Sequence, residues 1–405
     1  MARERADLVI VGAGTIGGWA SVFAREAGLR DVVVLEREHA GSGASGRAAG
    51  MVRAQGGMPD TVRLGSWSIG FYRSQRDRYE TDSGFMQRGY VILATTVRGE
   101  RAARDRIAMQ RAVGLDARWV GVDEIRRLIP AMAEDGYRGG SYVPTDGWVD
   151  PPRNVRAYSL AMQRAGVSLR EGVGFVGIRT RAGRRGRREL TAVQTSAGTI
   201  ETPRVLLTGG PALQAVAAAA GARAWVGYVR HQVAVTEGSG ALHADTTAMA
   251  FDLDAGLYWR PEEGGLLFGM SNPKESPGPG RSIDWPYLRA MERRLHRFVP
   301  ATRGLGLKKA WAATIEYTPD HLPIVGPLVV GDGTEIDGAS IASACGHGMM
   351  WGPAVSRIAV DLALEGATEV VERPSDLRMD RFDANGRSPL VDPIALPFPV
   401  TLSED

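Results

Sequence analysis

The stretch DLVIVGAGTIGGWASVFAREAGLRDVVVLE, residues 7–36, decides the fold of this chain. Its apolar run Leu8–Val11 predicts a short strand buried on both faces. Gly12, Gly14 and Gly17 then form GxGxxG where a helix should begin. The first glycine permits a tight turn, the second lets a diphosphate approach the backbone, and the third lets helix and strand pack closely. The pattern predicts a dinucleotide site.

The rest of the stretch predicts the second half of a β-α-β unit. The helix should run to about Gly28, and a strand over Val32–Leu35 should deliver Glu36. Glu36 lies 24 residues after Gly12 (36 − 12), where a carboxylate can accept hydrogen bonds from both ribose hydroxyls. The diphosphate would lie at the positive end of the helix dipole. The glycines alone do not separate FAD from NAD, and a purely structural glycine turn is the alternative.

Length and composition narrow the class of protein. At 405 residues with 44% hydrophobic content, the chain predicts a globular protein of two domains. No apolar run reaches membrane-spanning length, and the first strand begins within eight residues, so we expect no membrane span, no signal peptide and a cytoplasmic location. The single cysteine, Cys345, excludes an internal disulfide and a cysteine metal cluster, and we expect no metal.

One basic cluster, RTRAGRRGRRE at residues 179–189, stands out in a chain whose formal net charge is only +3. It lies between strand-like segments, and no aromatic residues interleave it. A solvated hairpin tip is therefore favoured over a phosphate or nucleic-acid contact, and we expect no nucleic-acid partner.

Further motifs lie along the chain at wide spacing. They are GSGASGRAAGMVR (41–53), TDGWVDP (145–151), VLLTGG (205–210), TPDHLPIVGP (318–327) and ACGHGMMWGPAVSRIAVDLALEG (344–366). Together with the opening stretch they resemble the D-amino-acid oxidase superfamily of FAD enzymes, particularly its sarcosine and dimethylglycine dehydrogenase-like branch. The resemblance runs from residue 7 to about 366 and covers nearly the whole chain.

The resemblance implies an α/β fold, in which a Rossmann-like FAD-binding domain is interleaved with an α+β, antiparallel-sheet substrate domain. We assign residues 1–80, 145–224 and 319–375 to the FAD-binding domain. Residues 81–144 and 225–318 form the substrate domain, and 376–405 a C-terminal tail. The β-rich segments after Trp225 show the alternation expected of antiparallel strands.

The cofactor implied is FAD. Small side chains let the backbone approach a flat ring closely, and a helix beginning near Pro353 would present free amides to the reduced flavin. The residues expected to contact FAD are Gly12, Gly14, Thr15, Ile16, Gly17, Glu36, Arg37, Ser45, Gly46, Arg47, Ala48, Ala49, Gly50, Met51, Val173, Gly209, Gly210, Gly346, His347, Gly348, Met349 and Met350.

The activity implied is oxidation of the C–N bond of a secondary amine or N-alkyl amino acid to an imine. Hydride would pass to the flavin, and the second product would be hydrogen peroxide or a reduced acceptor. The candidates for catalysis are Arg53, Tyr258, Arg260 and His347. Arg53 matches an arginine that binds the substrate carboxylate in monomeric sarcosine oxidase, with a surface salt bridge as the alternative.

The other catalytic candidates also have structural alternatives. Tyr258 and Arg260 lie two apart on one strand and share a face, directed either to the cavity or to a neighbouring sheet. His347 and His231 are either buried structural histidines or groups that tune the amine's protonation. Cys345 is expected to be a small residue at a crowded turn rather than a redox thiol.

Several departures from the family concern the flavin and the substrate. Ala313 and Arg47 stand where relatives carry a cysteine or a histidine that links the flavin, so we expect non-covalent FAD. Ile315 and Met350 replace an arginine and a lysine that bind the substrate carboxylate. Leu267 replaces the lysine with which sarcosine oxidase activates oxygen, which leaves O2 or another electron acceptor open.

Two rival functions stay open at this point. One is an NAD-dependent dehydrogenase, against which the helix near Pro353 argues. The other is a partner-dependent flavoprotein subunit of a multi-subunit amine dehydrogenase, which the missing lysines and Ile315 leave possible.

Overall fold

The computed structural model describes residues 4–183, 187–242, 247–276 and 278–394. Helices alternate with strands along these ranges. The helices are α1 (Thr15–Glu26), α2 (Pro59–Tyr79), α3 (Val97–Ala112), α4 (Val122–Leu128), α5 (Pro151–Arg164), α6 (Leu213–Ala219), α7 (Trp285–Phe298) and α8 (Gly352–Leu364).

The strands build two large sheets and a small one. They are β1 (Glu4–Arg5), β2 (Leu8–Val11), β3 (Val32–Leu35), β4 (Met51–Val52), β5 (Met86–Gln87), β6 (Tyr90–Ala94), β7 (Arg118–Val120), β8 (Gly139–Val143), β9 (Gly147–Trp148), β10 (Ser168–Arg170), β11 (Phe175–Ala182), β12 (Arg188–Thr195), β13 (Gly198–Glu201), β14 (Val205–Leu207), β15 (Gly227–Thr236), β16 (Met249–Asp252), β17 (Leu257–Glu262), β18 (Gly265–Ser271), β19 (Leu307–Tyr317), β20 (Ile324–Val329) and β21 (Glu335–Ser343).

The first large sheet is built around β2. Its strand order is β1-β13-β12-β21-β14-β2-β3-β10, with β11 and β20 paired to β12 and β21. The centre, from β21 through β14, β2 and β3 to β10, is parallel, and β2 is buried at every position. Helices α1, α5 and α8 cover one face, and α6 packs on the other through Leu213 and Ala217, so the parallel core is covered on both faces as in α/β folds.

The opening β-α-β unit forms as the sequence predicts. Gly12 has φ +99°, and a Cβ at Gly17 would lie 1.9 Å from the Gly12 carbonyl oxygen, so only glycine lets α1 approach the turn. α1 ends at Glu26, and Gly28 follows with φ +96°. β3 then leads directly to Glu36. The tight turn and the close helix-strand packing are confirmed.

The second large sheet has the order β19-β15-β18-β17-β16-β6-β8-β7. Its pairings are antiparallel except that β6 and β16 run parallel. α7 packs on it through the buried side chains of Leu288, Met291, Leu295 and Phe298. Asp284 accepts a hydrogen bond from the Tyr287 amide at 3.1 Å and begins that helix.

A small antiparallel sheet lies between these two bodies. β9 pairs with both β4 and β5. The TDGWVDP motif therefore meets the segment GSGASGRAAGMVR (41–53), which we call the small-residue loop. The two large sheets draw their strands from the ranges assigned to the two domains, and the domain boundaries themselves stay a prediction.

The C-terminal part is tied to the body more closely than the word tail implies. Leu377, Met379 and Phe382 are buried. Arg381 makes a two-pronged ion pair with Asp320, at 2.7 and 3.0 Å, in which both side chains are almost fully buried. Residues up to 394 therefore belong to the folded body.

Two surface expectations can be compared with the fold. β11 and β12 form an antiparallel hairpin that carries the arginine run, and its tip, residues 184–186, lies outside the described residues. Across the described parts of the chain, no helix combines the length and apolar character that crossing a membrane requires.

Candidate functional site

A cavity of about 930 Å³ lies between the two large sheets. One wall is formed at the carboxyl ends of β2, β3 and β14, where ligands bind in open α/β sheets. The opposite wall carries side chains of β15, β17 and β19. Its volume is at the upper end of the range of roughly 300–1,000 Å³ typical of small-molecule sites.

Most of the predicted cofactor residues lie on this cavity. Those that line it are Gly12, Gly14, Thr15, Ile16, Glu36, Arg37, Ser45, Arg47, Ala48, Ala49, Gly50, Met51, Val173, Gly209, Gly210, Gly346, His347, Gly348, Met349 and Met350. Gly17 and Gly46 are not among the lining residues. A Cβ at Gly46 would lie 2.6 Å from the Gly41 carbonyl oxygen, so Gly17 and Gly46 both serve close backbone packing.

The Glu36 carboxylate is held at the cavity wall by backbone amides. Its Oε2 accepts from the Ala13 amide at 3.0 Å, and its Oε1 accepts from the Glu38 amide at 2.9 Å. Each oxygen has a second lone pair. The carboxylate is therefore oriented beside the glycine turn and can still accept hydrogen bonds from a ribose.

The small-residue loop is fixed from both sides. Ser45 Oγ accepts from the Thr15 amide at 3.0 Å, at the start of α1. From the second sheet, Trp311 Nε1 donates to the Arg47 carbonyl at 2.8 Å, and Arg260 Nε donates to the Ala49 carbonyl at 2.8 Å. The loop thus rests on residues of both walls.

Arg260 does not take the place expected for a catalytic residue. It is 2% exposed, is not among the cavity-lining residues, and pairs with Glu262 at 2.5 Å. Because its guanidinium is turned to the Ala49 carbonyl and to Glu262, it supports the loop from behind. Tyr258, two residues earlier on the same strand, does line the cavity.

The GHG segment reaches the cavity as expected, but the helix that follows does not offer free amides. In the first turn of α8, Gly352 donates to the Gly348 carbonyl at 3.1 Å, Ala354 to Ser68 Oγ at 3.3 Å and Val355 to the Trp351 carbonyl at 2.8 Å. The backbone that faces the cavity is instead the preceding turn, residues 346–350. The free amides expected at the start of this helix are therefore not present there, and the role of the GHG segment in binding the cofactor stays a prediction.

His347 lies in that turn as a neutral side chain. Burial, and then the nearby Arg53 charge, lower the pKa of His347 to about 3. Its Nδ1 therefore donates to the Cys345 carbonyl at 2.6 Å, and Nε2 carries the lone pair. Cys345 is fully buried, and burial raises the pKa of its thiol to about 12, which agrees with an inert, structural cysteine.

A hydrogen-bonded chain on the second sheet reaches the cavity. The Tyr258 hydroxyl bonds to His231 Nε2, and His231 Nδ1 lies 2.9 Å from Ser271 Oγ. Burial lowers the pKa of His231 to about 4 and raises the pKa of Tyr258 well above its ordinary value. Both groups are neutral, and because hydroxyls can donate or accept, a proton can shift along the chain.

Arg53 is a buried residue rather than a surface one. It lines the cavity at 6% exposure, and its Nη1 donates to the Gln55 carbonyl. The surface salt bridge considered for it does not fit this burial. Arg53, Tyr258 and His347 all line the same cavity, whereas Arg260 does not.

Other lining residues were not singled out from the sequence. They include Tyr90, Glu316, Tyr317, His321, Asp392 and Ile394. His321 lies inside the TPDHLPIVGP motif, which was a usable signal. Asp392 and Ile394 carried none, because only the folded path of residues 376–394 brings them to the cavity.

The described residues hold no group of three or more His, Cys, Asp or Glu side chains arranged to bind a metal ion. The features that converge on the cavity are those of a nucleotide site. Glycines at the turn leave room for a diphosphate to approach the backbone, and Glu36 lines the same cavity with lone pairs that a ribose could use. The residues present fit a dinucleotide cofactor.

Known proteins are similar over nearly all of the chain. The family model described as DAO, FAD dependent oxidoreductase, matches residues 7–362. Sarcosine dehydrogenase, mitochondrial, of Mus musculus is 26% identical over 361 residues, covering 84% of this chain and 39% of the relative. 4-Methylaminobutanoate oxidase (formaldehyde-forming) of Paenarthrobacter nicotinovorans is 26% identical over 373 residues, covering 88% and 43%. The chain thus spans only 39% and 43% of these curated relatives.

The fold is also that of a solved structure. The crystal structure of L-proline dehydrogenase from P. horikoshii aligns with a TM-score of 0.84 at 22% identity, covering 94% of this chain and 98% of that one. At this identity the likeness concerns the fold. Since the family model covers most of the chain, and the glycine turn, Glu36 and the small-residue loop meet at one cavity, this chain belongs to the DAO family of FAD dependent oxidoreductases.

Proposed function

We propose that this protein oxidises the C–N bond of a secondary amine or N-alkyl amino acid. The observation that carries the proposal is the Tyr258–His231–Ser271 chain, which ends at the cavity opposite the cofactor wall. In the reaction the substrate loses a hydride from carbon and a proton from nitrogen, and the resulting imine is hydrolysed by water. Bound FAD supplies the hydride acceptor.

The chain's own residues would orient the amine and hold its proton. A neutral amine is needed. As the Tyr258 hydroxyl takes the amine proton it gives its own to Nε2 of the neutral His231, whose Nδ1 lies at Ser271. Arg53 offers a fork of donors for a carboxylate. Ile315 and Met350 also line the cavity, at positions where the resemblance implies cationic side chains. Arg53 would therefore bind a carboxylate with less help from neighbouring cations.

The names of the curated relatives support the substrate class. Sarcosine and 4-methylaminobutanoate both appear in those names as substrates of the relatives. We infer that an N-methyl amine is the first substrate class to test. We further propose that FAD is held without a covalent link, since Ala313 and Arg47 line the cavity and offer no linking nucleophile.

We propose that the reduced protein passes its electrons to a quinone dye or to a protein acceptor as readily as to oxygen. Leu267 is 1% exposed and is not among the cavity-lining residues. It pairs across the sheet with Arg260. A lysine at this position would therefore be buried beside Arg260, so the residue that governs reaction with oxygen has to be sought elsewhere on the cavity.

A partner-dependent subunit is the second candidate. The observation that favours it is that Ile315 and Met350 line the cavity where the resemblance implies cationic side chains for the substrate carboxylate. Under this alternative the isolated chain binds FAD, but amines reduce it only when a partner is present.

The experiment is an amine screen with the purified, FAD-loaded chain. N-methyl amines, N-methyl amino acids and primary amino acids are offered with a quinone dye, in air and without air, and dye reduction and hydrogen peroxide are both recorded. We expect turnover with at least one N-methyl compound and none with its quaternary trimethylammonium analogue, whose nitrogen has neither a lone pair nor a proton. If FAD binds but no amine is turned over under either condition, the partner-dependent alternative replaces the proposal.

A further inference from the structure

Asp146 is a fully buried residue whose carboxyl group bonds to the two residues that follow Arg53 in the chain. Its Oδ1 accepts from the Ala54 amide at 2.8 Å, and its Oδ2 accepts from Gln55 Nε2 at 3.2 Å. Its own carbonyl accepts from the Gly89 amide at 2.8 Å. Asp146 therefore holds the two residues that follow Arg53 and is itself anchored to the segment before β6.

The network extends the restraint around Arg53. Gln55 Nε2 also donates to the Tyr90 carbonyl at 2.9 Å, and Ser141 Oγ donates to Gln55 Oε1 at 2.8 Å. Arg53 Nη1 donates to the Gln55 carbonyl, so the guanidinium is bonded to the residue that Asp146 holds. A Cβ at Gly65 of α2 would lie 2.3 Å from the Arg53 carbonyl oxygen, which shows how closely this backbone is packed.

We propose that Asp146 is the positioning residue for Arg53, and that its charge sets how strongly Arg53 attracts a carboxylate in the cavity. The buried hydrogen bonds fix the backbone on which the guanidinium stands. The carboxylate, which is not among the cavity-lining residues, then offsets part of the guanidinium charge. The inference deepens the proposed function, since it rests on Arg53 as the group that binds the substrate's anionic end.

Protonation of Asp146 should be visible in anion binding. Burial raises the pKa of Asp146 to about 7, against the Ala54 and Gln55 hydrogen bonds and the Arg53 charge, which lower it. Tyr90 and Tyr142 also face it, and burial raises the pKa of each of them above its ordinary value. Below about pH 7 Asp146 is neutral and leaves the Arg53 charge uncompensated, so carboxylates should bind more tightly at low pH.

Other titrating groups on the cavity have to be separated from Asp146. Burial raises the pKa of Glu316 and of Asp392, and Arg53 and Arg106 oppose the shift at Asp392. The histidines His231 and His347 have their pKa lowered to about 4 and about 3 by burial and stay neutral. A variant at Asp146 itself is therefore the necessary comparison.

The test measures acetate binding to the FAD-loaded protein by calorimetry and by the perturbation of flavin absorbance, at about pH 6 and about pH 8, on either side of that raised pKa. The wild type should bind acetate several-fold more tightly at the lower pH. Asp146→Asn keeps an acceptor for the Ala54 amide and removes the charge, so it should bind acetate tightly at both values. Asp146→Ala also removes the anchor and should weaken binding about tenfold at the lower pH, which equals about 1.4 kcal/mol.

The matched control is Asp150→Asn, in the same segment, where the side chain accepts from the Arg153 amide at the start of α5. It should keep the wild-type pH dependence. An unchanged pH dependence in Asp146→Asn would overturn the inference, and the wild-type profile still decides if Asp146→Ala does not fold, because a flat profile also overturns it. Acetate binding that survives in Arg53→Leu would instead refute the proposed role of Arg53.

Discussion

At the scale of single residues, Glu36 is the side chain whose role follows most directly from its position in the sequence. The structure adds that its two oxygens are oriented by the Ala13 and Glu38 amides. Position was predictable, because a β-α-β unit of standard length delivers the residue to the sheet edge. The orienting bonds were not, because they depend on the local path of the turn.

Glu36→Arg should lower FAD affinity more than tenfold, since it replaces a charged acceptor worth about 1.5–3 kcal/mol with a donor. Glu36→Gln keeps one acceptor oxygen, so its FAD affinity should lie between those of the wild type and Glu36→Arg. The dissociation constant of FAD, measured by quenching of flavin fluorescence with apoprotein, checks both. Equal affinity in all three proteins would mean that the ribose lies elsewhere.

Tyr258→Phe should slow flavin reduction by roughly 10²–10⁴-fold if the hydroxyl relays the amine proton to His231, with a smaller effect on substrate affinity. The pKa of His231 is lowered to about 4, so the wild-type rate should show no titration of His231 above pH 5. Anaerobic rapid mixing measures the rate. Tyr228→Phe, whose hydroxyl also lies on the cavity wall and bonds to Gln214, is the control and should behave as wild type.

At the scale of elements, the small-residue loop shows what pattern reading can and cannot do. Glycine and alanine content indicated a loop beside a flat ligand, and the structure places that loop on the cavity, while alternation placed Tyr258 and Arg260 on one strand face. Which of the two reaches the cavity depends on tertiary contacts. Arg260 pairs with Glu262, two residues along its own strand, and donates to the Ala49 carbonyl, which lies 211 residues away and has no local signal in the sequence.

Trp311→Phe tests whether the second sheet holds this loop. The change removes the Nε1 donor to the Arg47 carbonyl and keeps most of the ring's packing. Loss of about 0.5–1.5 kcal/mol should raise the FAD dissociation constant about two- to tenfold. Trp285→Phe, at an exposed position that begins α7, serves as the control. If FAD binds both variants as it binds wild type, the loop is held from the α1 side alone.

At the scale of the whole molecule, the opening β-α-β unit and the antiparallel strands after Trp225 were predictable, because each carries a local hydrophobic period. The packing of residues 376–394 was not. Asp320 and Arg381 lie 61 residues apart, and no sequence pattern around either residue predicts that they pair. Buried ion pairs of this kind are set by topology, which is why the segment was expected to be a simple tail.

Arg381→Ala should destabilise the protein by about 3–5 kcal/mol, because it leaves the Asp320 charge buried without its partner. Arg187→Ala breaks an exposed pair with Asp337 and should cost about 0–1 kcal/mol. Urea unfolding followed by circular dichroism compares the two. A similar midpoint for both variants would show that residues 376–394 contribute little to the stability of the body.

We propose above all that the cavity holds FAD beside an amine whose C–N bond is oxidised. Anaerobic titration of the yellow protein with the best amine from the screen tests it most directly. We expect one equivalent of amine to bleach one equivalent of flavin and the imine to hydrolyse to an equal amount of aldehyde. Acid precipitation should then release all the flavin. Flavin that dithionite bleaches but no amine does would contradict the account.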